Sequence, residues 1–234
     1  MVRPYSWEGG KLKLVAMRPR NLGARKTMKT VLDHLLWAAP DLDSGNALFE
    51  QITGISPVIG GTHPGFGTRN ALTSLSDDEY LEIIAPDPSQ ELAGTRGALI
   101  AEMTRPQMLT FALRAADLKA VAKGARDAGV TVEDPIDMSR ATPEGRRLEW
   151  RVMRLADDRW PGRLPFFIDW KDTPHPAQTT SGGCKLDDMY TLTPDPQALR
   201  RVYDAIGCDV PVLAGAANGV VATLIGMNGK VVLT

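Results

Sequence analysis

Apolar positions in this chain recur at two spacings, every second residue and every third or fourth, so strands and helices are both predicted. Three stretches share one order: an extended apolar run, an aspartate, an amphipathic helix, then further strand-like runs. The extended runs are Val31-Leu-Asp-His-Leu-Leu-Trp-Ala-Ala-Pro-Asp41, Met108-Leu-Thr-Phe-Ala-Leu-Arg-Ala-Ala-Asp117 and Lys185-Leu-Asp-Asp-Met-Tyr-Thr-Leu-Thr-Pro-Asp195, whose closing aspartates lie 76 and 78 residues apart. Each aspartate is a candidate N-cap, because its carboxylate accepts from the free N–H groups of a first helical turn. After Asp117, the residues Leu118, Val121, Ala122 and Ala125 fall on one face, and Gly129 closes the helix. After Asp195, Pro196 occupies the first helical position, where its missing N–H costs nothing. Leu199, Val202, Tyr203 and Ile206 make the stripe that Gly207 ends. The first helix is less regular, with Leu42, Leu48, Ile52 and Ile55 apolar but Ser44-Gly45 near its start.

Strands are predicted over 70–75 and 80–85 in the first unit and over 148–155 and 166–170 in the second. In the third they cover 210–213, 219–226 and 230–233, with Met227-Asn228-Gly229 as a hairpin turn. The fold class is therefore α+β, a repeat with modules at 30–105 and 106–180 and a third, partial one at 181–234. An odd module lacks a partner, so it is expected either to extend one sheet or to pair across the axis of a homodimer.

Composition changes the picture little. With 43% hydrophobic and 24% charged residues and a net charge of -1, nothing calls for nucleic acid or an anionic membrane as partner. Cys184 and Cys208 fit neither a disulfide framework nor a zinc site, so free thiols in a reducing, cytoplasmic compartment are expected. No apolar run reaches the ~20 residues of a membrane helix. Residues 1–28 differ from the rest, with Arg3, Lys11, Lys13, Arg18, Arg20, Arg25 and Lys26 against one acid, Glu8. This basic leader is expected to lie outside the fold, with Met28 as the start of the protein proper; a targeting arm is the alternative.

Four segments carry a resemblance. Leu32-Asp33-His34-Leu35 runs through Pro40-Asp41-Leu42 into a helix, and Gly60-Gly61-Thr62-His63-Pro64-Gly65-Phe66-Gly67-Thr68-Arg69-Asn70-Ala71-Leu72 follows it. Then come Tyr80-Leu81-Glu82-Ile83-Ile84-Ala85-Pro86-Asp87-Pro88, and Pro165-Phe166-Phe167-Ile168-Asp169-Trp170 with Pro174-His175-Pro176. In this order they resemble the glyoxalase-like branch of the vicinal oxygen chelate superfamily, over roughly residues 30–234. The resemblance implies paired βαβββ modules whose curved mixed sheets enclose a cup, the glyoxalase/bleomycin resistance/dioxygenase fold.

It also carries His34 and Glu82 into metal-ligand positions, which implies one divalent ion (Zn, Ni, Mn or Fe) or, in members that bind without metal, none. Imidazole and carboxylate suit such ions, and an open coordination site could polarise a substrate carbonyl. The second module departs from this pattern. Thr110 precedes Asp117 as His34 precedes Asp41, and Phe167 aligns with Glu82; neither is a competent ligand. Asp169 and His175 are candidates for a third ligand, and Asp188 is the counterpart of His34 in the third unit. His63, in a loop beside proline, joins Glu82 as a candidate for proton exchange. Solvated loop histidines are the plainer reading of His63 and His175, and a salt bridge from Arg69 or Arg114 is the plainer reading of Glu82. Arg69, Asn70, Arg114, Trp150 and Trp170 are candidate substrate contacts. Arg114 shares the strand face of Thr110, where a guanidinium could clamp a carboxylate, and Asn70 and Trp150 occupy equivalent repeat positions. Three functions are open: a metal-assisted lyase or isomerase acting on a small oxygenated molecule, a non-catalytic small-molecule binder of the resistance type, or a purely structural or interaction module, which would have no cavity lined by His34, Glu82 and Asn70.

Overall fold

In the computed structural model, which describes residues 5–8, 11–14, 29–142 and 145–234, the first apolar run forms strand β3 (Thr30–Ala38). Ahead of it, β1 (Tyr5–Glu8) and β2 (Lys11–Leu14) pair as an antiparallel hairpin that shares no ladder with the other sheets. Met28, the expected start, lies outside the described residues. The first module continues with α1 (Leu42–Thr53), β4 (Val58–His63), β5 (Thr68–Ser74) and β6 (Tyr80–Pro86), followed by a short helix α2 (Arg96–Ala101). The second holds β7 (Gln107–Ala115), α3 (Leu118–Asp127), β8 (Thr131–Val132), β9 (Ile136–Ala141), β10 (Arg147–Met153), β11 (Leu155–Ala156) and β12 (Phe166–Asp169). The third holds β13 (Lys185–Thr193), α4 (Pro196–Ile206), β14 (Val212–Ala214), β15 (Gly219–Gly226) and β16 (Gly229–Leu233).

The three aspartates cap the three long helices. Asp41 accepts from Ser44 N at 2.9 Å, Asp117 from Lys119 N and Ala120 N, and Asp195 from Ala198 N at 3.0 Å. Such a cap stabilises a helix by about 1 kcal/mol. The irregular start of α1 has a packing reason: a Cβ on Gly45 would lie 2.6 Å from Ala39 Cβ, so only glycine lets the helix approach this closely.

Strands of the first two modules form one curved eight-stranded mixed sheet in the order β4-β5-β6-β3-β7-β12-β10-β9. The modules meet where β3 runs antiparallel to β7, while β3–β6 and β12–β7 are parallel. Side chains alternate between the two faces with period two. Leu35, Trp37, Leu81, Ile83, Phe111, Leu113 and Phe167 point outward into the main core with α1, α3 and α4. Each such side chain, fully buried, is worth about 1.5–3 kcal/mol. His34, Glu82, Asn70, Trp150, Phe166 and Ile168 point inward and line a cavity.

The third unit repeats the element order of the first two but not their pairing. In the first module the opening strand β3 pairs with the last, β6; in the third, the opening strand β13 lies between β14 and β15, giving β14-β13-β15-β16. Leu199, Tyr203, Ala222, Leu224 and Leu233 join the same core cluster as Phe49, Phe111 and Phe167. One apolar side of this unit is thus covered within its own chain, while Leu213, Ile225, Met227 and Val232 stay exposed. Among the described residues no helix is long and apolar enough to cross a membrane.

Candidate functional site

The inward face of the sheet surrounds a cavity of about 70 Å³. A water needs roughly 10–15 Å³ of such space, so the volume suits the reacting end of a small molecule. The two halves of the lining differ in character. The first module contributes His34, His63, Thr68, Asn70, Tyr80 and Glu82; the second contributes Met138, Trp150, Val152, Phe166, Ile168 and Trp170, with Arg140 and Arg154 among them.

His34 is set in place by a bulge. The pairing of β3 with β7 shifts register between Leu32 and His34, leaving Asp33 as an extra residue. Strict alternation would send Asp33 outward with Leu35; a bulge re-aims it. Its carboxylate, 0% exposed, instead gathers three hydrogen-bonding groups and a guanidinium as ion-pair partner. His34 Nδ1 lies 2.5 Å away, His175 Nε2 3.1 Å, Trp170 Nε1 3.1 Å and Arg114 Nε 3.2 Å. Burial alone would raise the Asp33 pKa, but the hydrogen bonds from His175 and His34 prevail and hold it well below the usual carboxylate range. An ionised Asp33 can only accept, so His34 Nδ1 carries the hydrogen and Nε2 is the ring atom turned into the cavity. That atom lies 3.5 Å from Glu82 Oε2, and the ring stacks on Tyr80 at 4.5 Å between centroids.

Glu82 is buried in mid-strand with one hydrogen bond, from Asn70 Nδ2 at 2.8 Å. His63 sits on the other side of this carboxylate, Nε2 to Oε1 at 3.8 Å, with Nδ1 2.9 Å from Thr68 Oγ1. Burial lowers the His63 pKa against the opposing pull of Glu82. Nε2 of His34 and Oε2 of Glu82 thus face each other, both side chains buried, a geometry that suits passing a proton between them.

His34, His63, Asn70, Glu82, Trp150 and Trp170 therefore share one cavity, and other expectations need correction. His63 is a strand residue at the end of β4, not a solvated loop residue. His175 does not reach Glu82: its Nε2 is bound to Asp33, and its Nδ1 accepts from Ala177 N at 3.3 Å. Asp169 is exposed and accepts from Lys171 N, because Phe166, Ile168 and Trp170 take the cavity side of that segment. The same alternation puts Phe167 in the outer core, so it is not opposite Glu82. Arg69 lies one residue out of phase with Asn70 and reaches toward Asp41 and Asp43 at 3.9 and 4.0 Å. Arg114 keeps the predicted face but is held by Asp33 and by the Asp78 carbonyl at 3.0 Å, so it is neither a partner of Glu82 nor a cavity-lining residue. Thr110 donates to Leu164 O, and Asp188 is exposed and accepts from Met189 N.

Sequence reasoning missed Asp33 as the support of His34, and it missed Tyr80, Arg96, Arg140 and Arg154. Arg96 arrives on α2, which docks against the turn at Phe66–Gly67. Gly97 N donates to Phe66 O at 3.1 Å, and a Cβ on Gly97 would lie 1.9 Å from Gly67 O. Gly97→Ala is therefore expected to lower stability by about 1–3 kcal/mol, read by thermal or urea unfolding; an unchanged midpoint would show that α2 can move aside.

A resident divalent ion fits these residues poorly. His34 and Glu82 are well-oriented donors, but Ala112, the β7 neighbour of His34, and Phe166, paired with Ala112 in turn, offer none. Among the described residues no group of three His, Cys, Asp or Glu side chains is arranged to hold a metal. Guanidinium groups lining the same space would oppose a second cation.

A pair of modules joined edge to edge around one cup defines a protein of the vicinal oxygen chelate type. The family model described as a glyoxalase-like domain matches residues 32–207, about three quarters of the chain, and the chain belongs to this family. Among curated proteins none matches it. Among solved structures, a hypothetical protein from Staphylococcus aureus shares the fold at 17% identity and a TM-score of 0.64, over 88% of this chain and 99% of that one. A variant of methylmalonyl-CoA epimerase from Streptomyces coelicolor, in complex with 2-nitronate-propionyl-CoA, is 23% identical over 63% of this chain and 98% of its own, with a TM-score of 0.45. The methylmalonyl-CoA epimerase from Mycobacterium tuberculosis is 21% identical over 63% and 93%, also at 0.45. At 17% identity the likeness to the first of these is one of fold alone.

Proposed function

We propose that the cup binds a small oxygenated molecule and exchanges a proton at a carbon next to its carbonyl, the chemistry of an isomerase or lyase, without a resident metal. The observation that carries this reading is the approach of His34 Nε2 to Glu82 Oε2 at 3.5 Å inside the cavity, with the far nitrogen of His34 tied to Asp33. Glu82 takes the proton; the electron pair of the broken C–H bond moves onto the carbonyl oxygen as an enolate. A cavity guanidinium offsets that charge, and the proton returns from Glu82 or from His34. His63 stands by Glu82 as a second carrier. A general base must lie within hydrogen-bond reach of the proton it removes, and Glu82 opens onto the cavity from the inward face of β6.

The test is proton NMR of a panel of small 2-oxo and 1,3-dicarbonyl acids in deuterium oxide. The protein is expected to speed loss of the α-proton signal of at least one, and no acceleration for any member would count against catalysis. Metal analysis of the purified protein is expected to give well under one ion per chain, with exchange unaffected by a chelator. Stoichiometric metal, or loss of exchange on chelation, would overturn the metal-free step. A second reading, a non-catalytic binder, is favoured by the aromatic wall of Trp150, Trp170 and Phe166. Quenching of tryptophan fluorescence by a ligand whose protons never exchange would select it.

A further inference from the structure

Three guanidinium groups, those of Arg96, Arg140 and Arg154, line the cavity together with a single carboxylate, Glu82. The one carboxylate of the lining can offset at most one of these three positive charges. Among the described residues none of the three arginines forms an ion pair, whereas Arg69, Arg114, Arg147, Arg151, Arg159 and Arg200 all do. Arg140 is only 7% exposed. One of its N–H groups donates to Gly60 O, which straps the edge strand β9 to the edge strand β4. Its other donors, of the five a guanidinium carries, have no protein partner among the described residues. Arg154 lies over the ring of Phe66 at 5.7 Å, which fixes its direction but not its charge. Close by, the buried Oδ1 of Asn70 is also without a partner.

A buried cation is costly unless an anion meets it; Glu82 and Glu133 lie near enough to act on these groups, but among the described residues neither closes to an ion pair with any of the three. We infer that the ligand of the cup is itself an anion, a small carboxylate or phosphate, clamped by Arg96, Arg140 and Arg154 with its neutral part turned to the Trp150 side. The inference rests on the same cavity as the proton-exchange reading but not on any proton being moved. It also explains why the second module can dispense with ligating side chains: its Arg140 and Arg154, with Arg96 from α2, provide the positive charge that orients the ligand. Guanidinium groups suit planar or tetrahedral oxyanions because their paired N–H groups match two oxygens.

Calorimetric titration of the full chain with malonate, with inorganic phosphate and with neutral malonamide tests it. At least one of the two anions is expected to bind, and the tighter one tells carboxylate from phosphate. Malonamide is expected to bind at least tenfold more weakly, and added salt to weaken the anion alone. Arg96→Gln and Arg154→Gln are each expected to weaken anion binding by about tenfold or more. Arg140→Gln also removes the strap to Gly60, so the other two variants keep the result readable if that one does not fold. Glu82→Gln is expected to lower proton exchange by about 10²–10⁴-fold without weakening anion binding, which separates the two readings. Equal binding of malonate and malonamide, absence of binding by both anions, or folded Arg96 and Arg154 variants with unchanged affinity would each overturn the inference.

Discussion

Replacing Asp33 with asparagine is expected to destabilise the folded protein by about 3 kcal/mol near neutral pH. The side chain is fully buried and holds His34, His175, Trp170 and Arg114 at once. Removing its charge leaves a partly buried guanidinium without its ion pair and imidazoles without their acceptor. An amide oxygen keeps some of the hydrogen bonds, but its NH2 group faces donors rather than acceptors. The pH dependence carries a further signature. The folded-state pKa of Asp33 is depressed, so its contribution is fully present above the ordinary aspartate pKa of about 4. It is lost progressively as pH falls below that value, because the unfolded state then binds the proton more readily. The gap in unfolding free energy between the parent protein and Asp33→Asn should therefore narrow as pH drops from 6 toward 3. Urea unfolding followed by tryptophan fluorescence measures both. A parallel pair of pH profiles would mean that Asp33 is not ionised in the way its donors require.

Glu82→Gln is expected to lower the rate of proton exchange by about 10²–10⁴-fold, the range general acid–base groups contribute, with little change in stability. The substitution keeps the shape and leaves an oxygen for Asn70 Nδ2 to donate to, but the group can no longer take a proton. His34→Asn should lose a comparable factor if His34 returns the proton, while Asp33 keeps its contacts with His175, Trp170 and Arg114. Exchange of the substrate α-proton, followed by NMR at equal protein concentration, gives both numbers. If Glu82→Gln retains more than a tenth of the parent rate, Glu82 is not the base, and His63 on its other side becomes the group to replace.

Local features of this fold were legible because they depend on atoms a few residues apart. The caps at Asp41, Asp117 and Asp195 are hydrogen bonds from the second or third residue along, so an aspartate before an apolar stripe suffices to place them. The same holds for the paired strands 70–75 and 80–85 and for the hairpin at Met227-Asn228, where Gly226 and Gly229 pair across the turn. Proximity of His34 to Glu82 was legible only through the family resemblance, since 48 residues separate them in sequence.

What tertiary structure alone decided is where alternation breaks and which distant groups meet. One extra residue at Asp33 reverses its face, and no local pattern signals a bulge whose cause is the pairing of β3 with β7. His175 lies 142 residues from Asp33 and Arg140 lies 80 from Gly60, yet each pair shares a hydrogen bond. A one-residue phase separates Asn70 inside the cup from Arg69 outside it, and likewise Ile168 from Asp169. The third unit has the element order of its predecessors but another strand pairing, because it is laid over the helices of the first two rather than into their sheet. Short-range hydrogen bonding and side-chain periodicity are written in consecutive residues, whereas register, bulges and the meeting of remote charges are settled only when strands pair, and in this chain they make the site.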